Sequence, residues 1–169
     1  MDKGVVDTVT EPLRKVGSAE RVRTFLGQHL EDYQIIEFQI STKTAQQAAD
    51  AAGCELGQIV KSLVFVVDDR PVLVLVAGDR RGDGEAIAQL MGGGKAHFAS
   101  AEQVRSSTGY AIGGVSPFAL PEGLPVLVDE SLERFETVYP AAGTPASMVM
   151  MRRRDLLALS GGRVACVSL

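Results

Sequence analysis

Apolar positions along this chain fall into short blocks with two periods, helical and alternating. Val22, Phe25, Leu26 and Leu30 recur at helical spacing, and Ser18 stands where a cap would start that helix. Residues 1–17 before it are mixed and punctuated by Pro and Gly, which predicts a loose arm. Ile35–Ile40 alternates weakly as a strand. Thr42 or Thr44 caps a short Ala-rich helix (Ala45, Ala48, Ala49, Ala52) that stops at Gly53. Two β-branched runs, Ile59–Val67 and Pro71–Ala77, are joined by Asp68-Asp69-Arg70 and predict a hairpin. Asp83 caps a helix to Met91, ended by Gly92-Gly93-Gly94. Ser100-Ala101-Glu102-Gln103 is a capping-box pattern that turns Val104 inward. Further strands are expected at Val126–Val128, Glu136–Tyr139, Ser147–Met151 and Arg163–Val167, with a short helix at Asp155–Leu159 before Gly161-Gly162.

Neighbouring antiparallel strands, rather than crossover units, then form the middle of the sheet. The pattern is one mixed α/β (α+β) domain over residues 18–169, with a mixed, mostly antiparallel sheet and helices around it. It shows no repeat, low-complexity segment or interdomain linker.

One position breaks the pattern. Lys61 sits inside an otherwise apolar strand whose two faces, Ile59, Leu63, Phe65 and Val67 on one and Val60, Val64 and Val66 on the other, are both apolar. Two readings fit. The lysine near the strand start snorkels its ammonium to the rim, or it lines a pocket and needs a partner there. About fifty residues later comes Thr108-Gly109-Tyr110-Ala111-Ile112-Gly113-Gly114-Val115-Ser116-Pro117. Gly113-Gly114 is either a plain turn or, with Val115, a run of amides that can cradle a carbonyl or phosphate oxygen. Pro117 stiffens the exit and biases Ser116 to extended backbone. A strand cation beside exposed amides suits an anionic or ester-bearing ligand.

Composition narrows the field. The 169 residues suit one domain, and 46% hydrophobic content with a mean hydropathy of +0.11 supports a sizeable core. Aromatic content is 5% with no Trp, so Val, Leu, Ile and Ala fill that core. A net charge of −4 and a pI near 5.2 argue against broad coating of duplex nucleic acid while allowing a local basic site. Arg152-Arg153-Arg154 and Arg80-Arg81 are the densest basic runs, readable as solvated faces or as phosphate contacts.

Cys54 and Cys166 stand far apart, outside any CxxC, and read as buried reduced thiols. His29 closes a helix, and His29 and His97 alone do not make a metal site. No Ser-His-Asp or Cys-His signature is present, and neither metal nor cofactor is expected. Gly92-Gly93-Gly94-Lys95-Ala96 fails as a P-loop, because Gln89 replaces the first glycine and Ala96 the Ser/Thr; Lys95 remains a weak phosphate candidate. Without an apolar leader or a run of about 20 apolar residues, the expectation is a cytoplasmic protein with no membrane contact.

Taken together, Ile59-Val60-Lys61-Ser62-Leu63-Val64-Phe65, Thr108–Phe118 and Ala141-Ala142-Gly143-Thr144-Pro145 resemble the YbaK family. These are free-standing relatives of the editing domain inserted in bacterial prolyl-tRNA synthetases. The resemblance spans about Thr42 to Val167. It implies a partly closed β-sheet surrounded by helices, and hydrolysis of the ester of aminoacyl-tRNA carrying a wrong small amino acid. Lys61 then helps hold the tRNA 3′ CCA end, and Gly113 and Gly114 face the reacting ester. Thr42, Tyr110, Val115, Ser116, Pro117, Ala142, Gly143 and Thr144 wall the substrate, and Asp129 matches an acidic position of several relatives. Some members carry serine just before the second glycine loop, where this chain has Ala141, and the Gly143-Thr144-Pro145 loop is short and stiff.

Implied partners are aminoacyl-tRNA and an aminoacyl-tRNA synthetase, with monomer and homodimer both open. Arg80, Arg81, Lys95, Arg152 and Arg153 are the candidates for phosphate contact. A positioned water and backbone amides suffice for an activated ester, amides aimed at a developing oxyanion contributing roughly 3–4 kcal/mol. The other class of function is a module that binds an aminoacyl or nucleotide ligand, or docks on a synthetase, without turnover.

Overall fold

The computed structural model describes residues 17–169, so the arm expected over 1–17 lies almost wholly outside the described residues. Helix α1 (Ser18–His29) leads to β1 (Tyr33–Glu37), α2 (Ala45–Ala52), β2 (Val60–Val67) and β3 (Arg70–Ala77). Then come α3 (Gly84–Leu90), β4 (Ala96–Phe98), α4 (Ala101–Thr108), β5 (Val126–Asp129), β6 (Thr137–Val138), β7 (Ser147–Arg152), α5 (Arg153–Ser160) and β8 (Arg163–Ala165). Among the described residues no helix is long and apolar enough to cross a membrane.

Short-range signals set most of these boundaries. The Thr44 side chain accepts from Gln47 N and starts α2, which ends at Gly53 with φ 68°. The Asp83 carboxylate accepts from the amides of Glu85 and Ala86 to start α3. Ser100 and Gln103 form the reciprocal capping box of α4. Asp68 and Asp69 adopt φ 47° and 64°, the left-handed pair of a two-residue hairpin turn, so β2 and β3 register from Val67–Arg70 back to Val60–Ala77.

The strands form two open sheets instead of one partly closed sheet. The larger is mixed, in the order β4-β2-β3-β5-β8, with β2 antiparallel to β3 and β4 while β5 runs parallel to β3 and β8. The smaller is antiparallel, β1-β7-β6. They meet through one parallel bridge, Ile59 to Tyr139, where Val60 N donates to Tyr139 O (3.1 Å) and Tyr139 N to Gln58 O (2.9 Å).

Helices cover both faces of the larger sheet. Leu73, Leu75, Val60 and Val64 pack with Val22 and Leu26 of α1, Val104 of α4 and Leu156 of α5. Val72, Val74, Val76, Phe65 and Val67 pack with Ile87 and Ala88 of α3 and with Val167. Each fully buried side chain of this size contributes about 1.5–3 kcal/mol. A third cluster joins the sheets: the small face of α2, Ala48 and Ala49, lies on Ile59 and Met148.

Other details differ from the sequence reading. Ser18 does not cap α1; its hydroxyl donates to Gly143 O at 2.8 Å, because a partner 125 residues away competes for it. The first strand is Tyr33–Glu37, since its ladder with β7 ends at Glu37–Ser147, and Ile40 is 80% exposed. Residues 96–98 form a short edge strand on the far end of β2. Cys54 is half-buried, and Cys166 is exposed rather than buried.

Candidate functional site

β4 covers only Phe65–Val67, which leaves the Lys61–Leu63 edge of β2 without a strand neighbour on that side. A cleft of about 280 Å³ opens along this edge, near the small end of ligand-sized cavities (~300–1,000 Å³). Because it follows a strand edge, residues from both faces, Lys61, Ser62 and Leu63, line it together. The rest of the lining comes from Thr42–Ala45, Gly113, Val115, Ala141, Thr144, Pro145, Ser147 and Met148.

This wall is cross-tied. The amide and hydroxyl of Thr42 both donate to Pro145 O, each at 3.0 Å, and Phe38 N donates to Ala146 O at 2.7 Å. Thr144 Oγ1 and Ser147 Oγ share a hydrogen bond of 2.7 Å. The two glycine loops touch: a Cβ on Gly114 would lie 2.9 Å from Thr144 Cα and 3.1 Å from Gly143 O, so only glycine permits this approach. Gly143 has φ 98°, and a Cβ there would meet the Ser18 carbonyl at 2.7 Å, so the start of α1 backs the second loop. Gly114 N donates to Ala111 O (3.0 Å), closing a turn with Gly113 at φ 85°. Gly113 and Val115, on either side of Gly114, both line the cleft.

Lys61 is half-buried, and its ammonium donates to the Arg80 carbonyl. Burial, and then the nearby Arg81 guanidinium, lower its pKa from the ordinary lysine value, while Asp79 pulls it back up. The turn holding that carbonyl is clamped. Arg80 N donates to Ala77 O at 2.9 Å, Gly78 N to Ile59 O at 2.7 Å, and Ala77 N to Ser131 Oγ at 3.3 Å. Arg134 holds Asp79 through two bonds of 2.6 and 2.8 Å, which lowers the Asp79 pKa.

Of the residues singled out from the sequence, the cleft gathers Lys61, Gly113, Val115, Thr42 and Thr144. Gly114, Ala142 and Gly143 stand behind the wall: Ala142 is buried in the core, and the glycines form the contact between loops. Tyr110 is fully buried under the Arg21 guanidinium (4.6 Å to its ring centroid), and its hydroxyl donates to Phe118 O at 2.6 Å. Ser116 and Pro117 are buried in the segment between them.

Asp129 lies elsewhere, at the end of β5. Its carboxylate accepts from Ser131 N (3.0 Å), Val167 N (2.8 Å) and Ser168 Oγ (2.7 Å), tying the C-terminal segment to the sheet. Burial pushes its pKa up, but these bonds outweigh it and the net shift is downward.

The basic candidates separate as well. Arg81 is close enough to act on Lys61, whereas Arg80 lends it only a carbonyl and lines a different depression with Asp129. Arg152 lies at the other end of β7 from Ser147, about 16 Å along the strand, and pairs with Asp32 (3.0 Å) and Glu136 (3.8 Å). Arg153 Nε donates to Phe135 O. Lys95 is exposed next to Ala96, which pairs with Val67, roughly 20 Å of strand from Lys61.

Sequence reasoning passed over Lys43, Ser62, Pro145, Ser147 and Met148 as cleft residues, and Asp79 and Arg134 as the clamp under Lys61. Alternation could have found Ser62, a hydroxyl on an otherwise Val-rich face. No sequence period points to the clamp.

Lys61 on a strand edge and residues of two interlocked glycine loops line one cleft of an α/β domain. The chain belongs to the aminoacyl-tRNA editing domain family, whose model matches residues 40–159. It is 37% identical to the uncharacterized protein YwhH of Bacillus subtilis over 148 residues, covering 87% of this chain and 94% of YwhH. It is 27% identical to the multifunctional Ser/Thr-tRNA deacylase ProXp-y of Escherichia coli K12 over 157 residues, covering 90% and 93%. A crystal structure of a candidate trans-editing enzyme for prolyl-tRNA synthetase superposes with a TM-score of 0.83 at 40% identity, covering 92% of this chain and 99% of that one.

Proposed function

We propose that this protein is a trans-acting aminoacyl-tRNA deacylase that hydrolyses the ester between a wrongly attached small amino acid and the 3′ terminus of a tRNA. The observation that carries the reading is the convergence of Lys61 with Gly113, Val115 and Thr144 in one cleft, from segments about fifty and eighty residues apart. Family membership and the names of the relatives agree with it.

In this reading Lys61 binds ribose or phosphate oxygens of the terminal nucleotide as a point charge. The amides of Gly113 and Val115 point at the ester carbonyl. A water oxygen adds to the carbonyl carbon, and the amides stabilise the negative charge on the former carbonyl oxygen. Collapse breaks the bond to the ribose oxygen, which takes up the proton released by water, leaving free amino acid and intact tRNA. A terminal ribose hydroxyl positions the water, so no protein nucleophile is required. The Arg134–Asp79 clamp keeps Lys61 aimed by fixing the carbonyl it leans on. Lys43 and Arg81 flank the cleft and meet the nearest phosphates, while Arg80, Lys95, Arg152 and Arg153 serve at most as outer contacts.

The test is a deacylation panel with tRNAs charged with Ala, Cys, Ser, Thr and Pro, run with wild type and Lys61→Ala. Wild type hydrolyses at least one ester, and Lys61→Ala melts normally but loses on the order of a hundredfold or more in kcat/KM, in line with a misplaced reacting group. Equal turnover by the variant removes Lys61 from the mechanism. Binding of charged tRNA with no turnover of any ester establishes the binding-module alternative instead.

A further inference from the structure

Of the large apolar side chains that stand exposed among the described residues, only Phe98 carries a ring, and it is 65% exposed. Pairing fixes its place at the end of β4. It sits opposite Phe65 of β2, and the two rings stack with centroids 4.5 Å apart. Directly paired residues point to the same side of a sheet, so Phe98 shares a face with Phe65, Leu63 and Lys61. The edge of β2 lacks a strand neighbour over Lys61–Leu63 and is taken up at Val64, whose carbonyl accepts from Ala99 N at 2.9 Å. Phe98 therefore stands where the cleft ends, diagonal to the cleft-lining Leu63 and about 7–8 Å from it.

A solvent-facing ring on an edge strand forgoes burial and invites self-association. Phe98 belongs to none of the three apolar clusters, so the fold does not account for it. Its surroundings say what covers it. Lys95, His97 and Ser100 beside it are exposed and polar, which makes the ring a small flat island instead of a broad patch. A stable protein partner needs about 800 Å² a side with an apolar centre, and one ring among polar neighbours supplies little of that. An unpaired nucleobase needs only a flat π face and cations for its phosphate. The stack holds that face ready. Phe65 is 3% exposed, and Gly82 backs its ring so closely that a Cβ there would lie 2.9 Å from Cζ. Arg81, just before Gly82, and Lys95, just before β4, supply the cations.

We infer that Phe98 is a stacking platform for an unpaired base of the tRNA 3′ end. This rests on the deacylase reading above, which puts the terminal ribose or phosphate on Lys61. About 13 Å of strand separates Lys61 from Phe65, so the bases nearest the ester pass within reach of the ring. Single-stranded ends are held by stacking on aromatic side chains, and such contacts tolerate any base. The contact carries no charge, so it strengthens binding without steepening the salt dependence that the cations create. It is also remote from the reacting bonds, so it binds ground state and transition state alike.

The probe is an uncharged acceptor-stem minihelix ending in CCA, with 2-aminopurine in place of the last or the next-to-last base, whose fluorescence is quenched by stacking. Full-length wild type quenches it at one of the two positions. Phe98→Ala loses the quenching and binds about five- to a hundredfold more weakly, with an unchanged salt slope. Phe98→Trp keeps both signals, whereas Phe98→Leu, apolar but without a π face, does not, which a merely structural role would not produce. In turnover of a charged minihelix, Phe98→Ala raises KM and leaves kcat within a few-fold of wild type. Absence of quenching by wild type at both positions overturns the inference, and so does wild-type affinity in Phe98→Ala or Phe98→Leu. Should Phe98→Ala unfold, the contrast between Phe98→Trp and Phe98→Leu decides. If wild type quenches the probe but hydrolyses no ester of the panel, the deacylase reading falls and the platform stands on the binding-module alternative. If it turns over an ester without quenching, the platform falls and the deacylase reading stands.

Discussion

Replacing Gly114 with alanine tests whether the contact between the two glycine loops shapes the cleft. Gly114 has no special φ, so the strain comes from the added methyl alone. That methyl would sit 2.9 Å from Thr144 Cα and 3.1 Å from both Thr144 C and Gly143 O. Carbon–carbon contacts prefer about 3.5–4.0 Å, so the loops have to part by roughly 0.5–1 Å. The obstructing atoms are backbone and cannot rotate away, and Gly143 is itself backed by Ser18. Overpacking of this kind costs about 1–3 kcal/mol, which for a chain of this size lowers Tm by about 2–12 °C. A displacement approaching 1 Å between Val115 and Thr144 should also lower deacylation by up to about a hundredfold.

The assays are thermal melting and single-turnover deacylation. Gly27→Ala is the matched control, because its methyl meets only Tyr33 Oη at 3.6 Å within α1 and should leave Tm unchanged or raise it. A Gly114→Ala protein with wild-type Tm and wild-type turnover would show that the loops do not hold each other, and the account of the cleft wall would fail.

Asp129→Asn should lower stability by about 1–3 kcal/mol at pH 7, since a buried carboxylate accepting three bonds becomes a mismatched amide. The folded pKa of Asp129 lies below its ordinary value, so its stabilisation is present above about pH 4 and lost as pH falls through the lower folded pKa. The gap between variant and wild type in urea melts should therefore shrink below pH 4, and a gap unchanged down to pH 2 would contradict this. Charge reversal at Lys43 or Arg81 should weaken tRNA binding about tenfold and flatten its salt dependence, while Arg152→Glu should do much less. A larger effect at Arg152, measured by filter binding across a salt series, would move the tRNA path to the other end of β7.

Features decided within three or four residues were legible in the chain. The caps at Thr44, Asp83 and Ser100, the stop at Gly53, and the Asp68-Asp69 hairpin each depend on atoms that are near in sequence. So did the oddity of Lys61, because alternation assigns it to a strand whose faces are otherwise apolar. The joint pattern of the lysine strand and both glycine loops carried the family as well, and the matching family model covers that same region.

Other features depended on which distant segments compete for the same atoms. Ser18 had the composition of a cap and became a donor to Gly143. Asp129 had the composition of a site residue and became a clamp for the C-terminal segment. β4 has too few alternating positions to announce itself and exists because β2 offers an edge there. The strand division is likewise non-local, since β1 pairs with β7 across more than a hundred residues. The sequence by itself determined the local elements, the candidate cation and the kind of chemistry it suits. Only the tertiary structure decided that Lys61 leans on the Arg80 carbonyl, that Gly114 rests against Thr144, and that Ser62 keeps an unmatched hydroxyl. Those contacts are made by packing between segments separated by 19 residues or more, a distance over which no periodicity carries information.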